Sequence, residues 1–336
     1  AYEPYFDDLN LQYRGSIVGL KEGTEYEVKA VLEKSGRKTE ISAFAKTETS
    51  DVPIAKEIKL SELSELKDKN GSYVFDNYNG AADGWIKIVA DGEELIPDAN
   101  AYAAIYVLNS HYLIFEGLKV KGGERCGFLL TNGSDNIRVI NCDISGFGKY
   151  GVVPEGGGIH NDYKNENINN DSGVFILNVG NVLVERCYIH DPKGRTNHWG
   201  YGHPCGMNAI FVRGTGGVVI RNNDFVGSDE ARWNDAIECF GNGTINGGIS
   251  NDSDIYGNLL VLGADDSTEF DDAQMNVRFY GNRIEQFLCG ISTVPQMVGP
   301  SYIFRNLFTN MGDPRGANYN ATKNGGGEGR RWNYGL

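Results

Sequence analysis

The chain has 336 residues, of which 40% are hydrophobic, so it can bury one large core, alone or with a small second domain. Its formal net charge of −14 argues against nucleic acid as a partner and against binding to an anionic membrane surface. The 45 glycines and 18 tyrosines favour many short strands and turns over helices. The six cysteines form no C-x-x-C pair, so no zinc ribbon or redox motif is indicated and buried free thiols are expected.

Residues 1–50 alternate between apolar and charged side chains and are predicted to form strands. The phrase L-x-x-G-T-x-Y, which ends at Tyr26, resembles the tyrosine-corner stretch of fibronectin type III modules, followed by their last two strands. The resemblance implies a partial fibronectin type III-like, β-sandwich-like segment over residues 1–50. Residues 51–83 are interpreted as a linker that leads into the next domain, with a short helix at S-E-L-S-E-L.

From residue 84 onward, one phrase recurs at intervals whose shortest value is 24 residues. Each copy is an apolar-alternating strand, and asparagine ends the last four copies. The equivalent end positions are Leu118, Cys142, Cys187, Asn223, Asn258, Asn282 and Asn306. This period is about one turn of a parallel β-helix, and the longer intervals are one turn plus a loop.

The sequence therefore predicts an all-β chain in which residues 84–336 form a right-handed parallel β-helix that carries the catalytic site. We expect Cys142 to stack on Cys187 and Asn258 on Asn282. Asparagine suits such bends because it tolerates a left-handed backbone and its amide can bond to the next coil. No cap is recognisable after Phe308, so we expect the solenoid of the natural protein to continue past Leu336.

Three long insertions, at 145–172, 190–207 and 225–234, fall between the end of one repeat and the first strand of the next. We expect them to lie side by side over one corner of the solenoid and to form the wall of a glycan-binding cleft. Six of their side chains are candidates for substrate binding: His198, Trp199, Tyr201, His203, Arg232 and Trp233. His160 and Tyr163 belong to the same predicted wall.

Two copies of a D-x-x-E phrase follow the last of these loops. Asp235 and Glu238 in the first copy match Asp266 and Glu269 in the second, and Asp265 precedes the second copy. Because stacked strands lie about 4.8 Å apart, the carboxylates of the two copies are expected to meet on one outer surface. The alternative is a solvated acidic patch, but the alignment beneath aromatic loops favours a catalytic site formed by these five residues.

Three chemistries suit such a cluster. Glycoside hydrolysis needs one protonated and one ionised carboxyl group, and crowding separates their pKa values. Calcium binding needs several hard oxygen ligands. A polysaccharide lyase would combine calcium with a basic side chain that removes a proton from a uronate. The acidic residues outnumber the basic ones here, so hydrolysis is favoured and no metal is assigned.

The repeats at residues 84–320 resemble the pectate-lyase-like superfamily of parallel β-helix carbohydrate enzymes. Within it, N-D-A-I-E at 234–238 and A-D-D-S-T-E at 264–269 are similar to the N-T-D and G-D-D motifs of polygalacturonase-type glycoside hydrolases. The resemblance implies that Asp265 is the general acid of an inverting reaction and that Asp235 and Asp266 position the attacking water. The next coil reads C-G-I-S-T-V-P-Q-M instead of that family's G-H-G motif, so His203 is a candidate to supply the imidazole.

These observations together predict an inverting glycoside hydrolase that acts on an extracellular polysaccharide. It is expected to be secreted or at the cell surface, monomeric and independent of a cofactor. Two alternatives remain open, namely a calcium-assisted polysaccharide lyase and a non-catalytic glycan-binding or adhesive solenoid.

Overall fold

The computed structural model describes residues 4–315, apart from residues 9, 153–161, 163, 240, 242, 243, 246 and 294. The chain divides into two compact units, residues 1–54 and 55–336. The candidate wall residues His160 and Tyr163 and the segment beyond residue 315 lie outside the described residues.

The N-terminal unit contains two antiparallel pairs of strands, Tyr5–Asp7 with Gln12–Arg14 and Glu25–Lys34 with Arg37–Lys46. The backbone N–H of Lys21 donates to the hydroxyl oxygen of Tyr26 at 2.8 Å. This bond is the kind that a tyrosine corner makes to the backbone a few residues upstream. The fibronectin type III-like character of the segment stays a prediction.

The described residues of the larger unit form a parallel solenoid of three sheets, with nine, eight and six strands. The nine-stranded sheet contains Ile54–Lys59, Trp85–Val89, His111–Glu116, Asp135–Ile140, Gly180–Glu185, Val219–Arg221, Asp254–Tyr256, Val277–Tyr280 and Ser301–Phe304. The eight-stranded sheet contains Glu94–Leu95, Lys119–Lys121, Asp143–Ser145, Tyr188–His190, Asp224–Val226, Leu259–Val261, Arg283–Glu285 and Leu307–Thr309. The six-stranded sheet contains Tyr73–Asp76, Ala103–Leu108, Cys126–Thr131, Ser172–Leu177, Asn208–Arg213 and Ile237–Cys239.

The solenoid begins earlier than the sequence predicted. Ile54–Lys59 lies at one edge of the nine-stranded sheet, and Tyr73–Asp76 pairs in parallel with Ala103–Leu108 in the six-stranded sheet. The interpretation of residues 51–83 as a linker is therefore corrected, because these strands already bury side chains such as Phe75 in the solenoid core. Between them, Leu60–Leu66 forms a short 3₁₀ helix with a kink at Leu63, at the position of the predicted helix. The other described helical segment is Trp199–Tyr201.

Stacked side chains inside the solenoid confirm the predicted register. The strand that follows Cys142 pairs with the strand that follows Cys187, starting from Asp143 and Tyr188. Both thiols are buried and free. The buried amides of Asn258 and Asn282 are joined by a 2.9 Å hydrogen bond from Nδ2 to Oδ1. Repeating positions one turn apart thus form continuous ladders along the solenoid axis.

The long loops lie side by side, as the sequence predicted. Phe147 of the first loop stacks on Trp233 of the third, with ring centroids 6.3 Å apart and planes 9° from parallel. Thr196 of the second loop donates its hydroxyl to the backbone carbonyl of Arg232 at 2.8 Å. All three loops connect the eight-stranded sheet to the six-stranded sheet, so they cover one corner. Among the described residues, the helical segments are too short to cross a membrane.

Candidate active site on the six-stranded sheet

The two D-x-x-E phrases lie on consecutive coils at one end of the six-stranded sheet. Bridges pair Ile237 with Thr268, so Glu238 and Glu269 occupy neighbouring positions on the outer face. A hydrogen bond between the two coils also fixes the side chain of Asp235, because its Oδ1 accepts the backbone N–H of Asp266 at 2.6 Å. The coil register therefore brings the predicted acidic residues together.

Four of the five carboxylates in this acidic cluster, Asp235, Asp265, Asp266 and Glu269, are buried, with at most 9% of their surface exposed. Glu238 is half-buried and is the most accessible member. A site on an outer strand face is normally solvated, so this degree of burial distinguishes the cluster from an ordinary acidic patch.

Burial and mutual repulsion change the acidity of two members. Desolvation raises the pKa of Asp235 well above its usual value, and the charges of Asp265 and Asp266 raise it further. Burial likewise raises the pKa of Glu238 well above its usual value, with the charges of Asp235 and Glu269 as the next causes. The ionised form is disfavoured at both positions, so the cluster retains a proton to a higher pH than isolated carboxylates do.

Asparagine side chains organise the cluster. The Nδ2 group of Asn234 donates to Oδ2 of Asp235 at 2.9 Å and approaches Oε2 of Glu238 at 3.4 Å. The Oδ1 atom of Asn208 accepts the backbone N–H of Asp235 at 3.2 Å. Asn234 thus orients two carboxyl groups and Asn208 fixes the backbone of Asp235, which gives the defined geometry that a preorganised catalytic site requires.

The loop wall reaches the cluster through His203. Its Nε2 lies 3.9 Å from Oδ2 of Asp265, and its side chain is 62% exposed. Trp199 packs against the same imidazole, with ring centroids 4.8 Å apart. The structure therefore places one imidazole beside the acid that the resemblance assigned as proton donor.

The six predicted substrate-binding residues separate into two groups. Tyr201 and His203 are exposed and Trp199 is half-buried, so these three can meet a ligand. His198, Arg232 and Trp233 are each at most 2% exposed.

The burial of this second group corrects the sequence prediction. Trp233 belongs to the solenoid core and stacks on Phe147. Arg232 donates to the backbone carbonyl of Gln286 at 3.2 Å and to Oδ1 of Asp229 at 2.9 Å, and burial lowers its pKa. These side chains fasten the loops to the solenoid and present no face to a sugar.

Sequence reasoning missed several polar residues around the cluster. Asp271 and Asp272 are buried, and Asp271 accepts a hydrogen bond from the hydroxyl of Ser292 at 2.9 Å. Asn208 and Asn234, which bond to the backbone and the side chain of Asp235, were also outside the set of predicted site residues. The sequence did offer one signal for these residues. The coils of the cluster carry polar residues at positions where earlier coils carry apolar ones, as Glu238 does opposite Phe211.

The oxygen atoms are also close enough to bind a metal. Asp235, Asp265 and Asp266 offer three carboxylate oxygens within 4.8 Å of one another, and so do Asp235, Glu238 and Glu269. Calcium takes six to eight oxygen ligands at about 2.3–2.6 Å, and its ligand oxygens can lie this far apart. The donor set therefore fits a hard divalent cation, with Asp235 common to both trios.

Comparison with known proteins supports the fold. The profile of the family described as "Right handed beta helix region" matches residues 129–310. Curated protein sequences yield no match. The structure is similar to an alginate lyase from Paenibacillus sp. str. FPU-7, with 14% identity over 75% of this chain and 99% of that chain and a TM-score of 0.40. It is also similar to PfbA, a surface adhesin of Streptococcus pneumoniae, with 10% identity over 78% of this chain and 72% of that chain and a TM-score of 0.31. With more than half of its length matched by the family profile and its strands stacked in parallel coils, the chain belongs to the right-handed β-helix family.

Proposed function

We propose that the chain is a glycoside hydrolase that cleaves an extracellular polysaccharide and uses Glu238 as its proton donor. The observation that carries this proposal is the position of Glu238, which is the most accessible carboxyl group of the cluster and lies beside Asp235 and Glu269. Burial and the charges of those two residues raise the pKa of Glu238. A catalytic acid must retain its proton near the working pH and still reach the leaving oxygen. Glu238 meets the second requirement better than Asp265, which is 1% exposed.

Glu269 is the proposed partner of Glu238. It stands one coil away on the same outer face, and both residues belong to a trio of oxygens within 4.8 Å of one another. Inverting enzymes separate their two carboxyl groups by about 6.5–9.5 Å, whereas retaining enzymes separate them by about 5–5.5 Å. The close spacing favours retention over the inversion expected from the sequence.

The retaining reaction proceeds in two steps. In the first step, an oxygen of the Glu269 carboxylate attacks the anomeric carbon while Glu238 transfers its proton to the departing glycosidic oxygen. Glu238 then removes a proton from water, the hydroxide oxygen bonds to the anomeric carbon, and the ester to Glu269 breaks. Both carboxyl groups return to their starting protonation states.

A panel of polysaccharides tests the activity. Hydrolysis releases new reducing ends without ultraviolet absorbance, and ¹H NMR of the first product reports the anomeric configuration. We expect release by the wild-type chain and release at least 100-fold slower by Glu238→Gln. Binding of a glycan without any product release would instead support the adhesive solenoid.

The second candidate is a divalent-cation site that assists a polysaccharide lyase. The two carboxylate trios that share Asp235 favour it. A bound cation would neutralise the cluster and the carboxylate of a uronate, and His203 is the side chain placed to accept a proton. Activity that disappears with EDTA, returns with Ca²⁺ and yields ultraviolet-absorbing unsaturated products would replace hydrolysis by elimination.

A further inference from the structure

A second concave feature lies on the outer face of the six-stranded sheet, beside the acidic cluster. It is a cavity of about 250 Å³. Its lining residues are Tyr102, Arg125, Asn170, Phe175, Leu177, Phe211 and Arg213. None of them belongs to the proposed catalytic group.

The cavity lies next to the cluster along the solenoid axis. Phe211 is the register partner of Glu238, and Phe175 is the register partner of Phe211. The two phenylalanine rings pack edge to face with centroids 4.8 Å apart. Adjacent coils are about 4.8 Å apart, so the cavity begins roughly one sugar ring away from the proposed proton donor.

The rim of the cavity carries two guanidinium groups, although the chain as a whole has a net charge of −14. Arg125 is held in place by an ion pair with the buried carboxylate of Asp171 and by a 2.7 Å bond from Nη2 to the carbonyl of Asn167. Arg213 is half-buried at the end of its strand, two residues from Phe211 on the same face. Arginine presents its N–H groups in a planar fork that matches a carboxylate or a sulfate.

An apolar floor with a guanidinium rim suits a sugar that has one apolar face and one anionic substituent. Without the arginines, the acidic cluster next to the cavity would repel a polyanionic chain. With the two arginines in place, positive charge lies one or two coils away from the negative charge of the acidic cluster. A short acidic oligosaccharide bound across both regions would therefore meet a different charge at each of its ends.

We propose that this cavity is a binding subsite for an acidic sugar unit next to the bond that is cleaved, with Arg213 as the residue that selects the anionic group. This inference rests on the proposed function for its position relative to the cleaved bond. The anionic group is a carboxylate or a sulfate, since both match the guanidinium fork, and the substrate is an acidic glycan.

Binding is measured by calorimetry in the Glu238→Gln background, so that cleavage cannot affect the result. The probes are tetrasaccharides of galacturonate, of alginate, of hyaluronan and of chondroitin sulfate. Each uronate probe is paired with its carboxyl-reduced form, and the sulfated probe is paired with its desulfated form. The variants are Arg213→Gln, the charge-preserving Arg213→Lys, and Arg283→Gln as a matched control on the eight-stranded sheet.

We expect at least one anionic probe to bind ten-fold or more tightly than its neutralised partner. A loss of affinity on carboxyl reduction identifies a carboxylate as the recognised group, and a loss on desulfation identifies a sulfate. Arg213→Gln should abolish that preference, Arg213→Lys should keep part of it, and Arg283→Gln should leave it unchanged. Thermal melting checks that all three variants are folded. An equal preference in the parent and in Arg213→Gln, or no binding of any probe at millimolar concentration, overturns the proposal. Charge-dependent binding by a chain that cleaves no polysaccharide overturns the hydrolase and leaves the subsite standing.

Discussion

The carboxylate of Asp235 accepts the backbone N–H of Asp266, with 2.6 Å between Oδ1 and N. One acidic side chain thus fixes the backbone of the coil that carries the next pair of acids. In the preceding coil, Asn208 bonds in the same way to the backbone of Asp235. The geometry of the cluster is therefore built into the stacking of the solenoid.

Glu238→Gln should lower kcat by about 10²- to 10⁴-fold, the usual contribution of general acid catalysis. The fold should be kept, because Glu238 retains its proton and glutamine is a neutral side chain of nearly the same size. The measurement is initial rate on the identified polysaccharide, together with thermal unfolding. Glu285→Gln, a half-buried glutamate on the eight-stranded sheet, serves as the matched control and should retain its activity. Full activity of Glu238→Gln would remove this residue from the mechanism.

Activity should decrease toward alkaline pH, because a proton donor fails once it is ionised. Stability should change in the same direction. The pKa values of Asp235 and Glu238 are raised on folding from 3.8 and 4.5, so the native state binds more protons than the unfolded state above those values. Their contribution to the free energy of unfolding is fully present below about pH 4 and is lost as the pH rises through the folded-state pKa values. Chemical unfolding across pH 4–9 measures this slope, which should become shallower in Glu238→Gln. An unchanged slope would contradict the assignment.

Asn258→Ala should destabilise the solenoid by about 3 kcal/mol or more. The buried amide of Asn258 accepts from the backbone of Asn223 at 3.0 Å and donates to the carbonyl of Ile220 and to Asn282, each at 2.9 Å. Its removal leaves several buried polar groups unsatisfied, at about 1–3 kcal/mol each. Urea unfolding provides the measurement. Asn306→Ala, at the half-buried end of the same ladder, should cost less, and equal losses would argue against a role for burial.

Tyr201→Ala and Trp233→Ala should separate ligand binding from packing. Tyr201 is 49% exposed, so its loss should raise KM several-fold and leave the melting temperature nearly unchanged. Trp233 is fully buried against Phe147, and its truncation should cost about 3–5 kcal/mol of stability. Steady-state kinetics and calorimetric melting are compared for the two variants. A stable Trp233→Ala variant with a raised KM would return Trp233 to the cleft.

The amino-acid sequence alone was sufficient to predict the parallel solenoid and its register. In a stacked coil, each residue meets the one a full turn later, so the period aligns Asn258 with Asn282 and Glu238 with Glu269 without any knowledge of the tertiary structure. The start of the solenoid was misplaced because the strands Ile54–Lys59 and Tyr73–Asp76 do not carry the recurring phrase. They join the sheets through backbone hydrogen bonds, which are independent of side-chain identity.

Tertiary structure alone decided which loop side chains meet solvent. The sequence offered Trp199, Tyr201, Arg232 and Trp233 as equivalent members of one wall, yet the last two are buried. Loops pack against one another through contacts that follow no period, as when Phe147 covers Trp233. Burial also decided the acidity of the cluster, since the desolvation that raises the pKa of Glu238 depends on every atom around it. Repetition along the chain fixes which residues are neighbours, but only the packed structure fixes how much water remains between them.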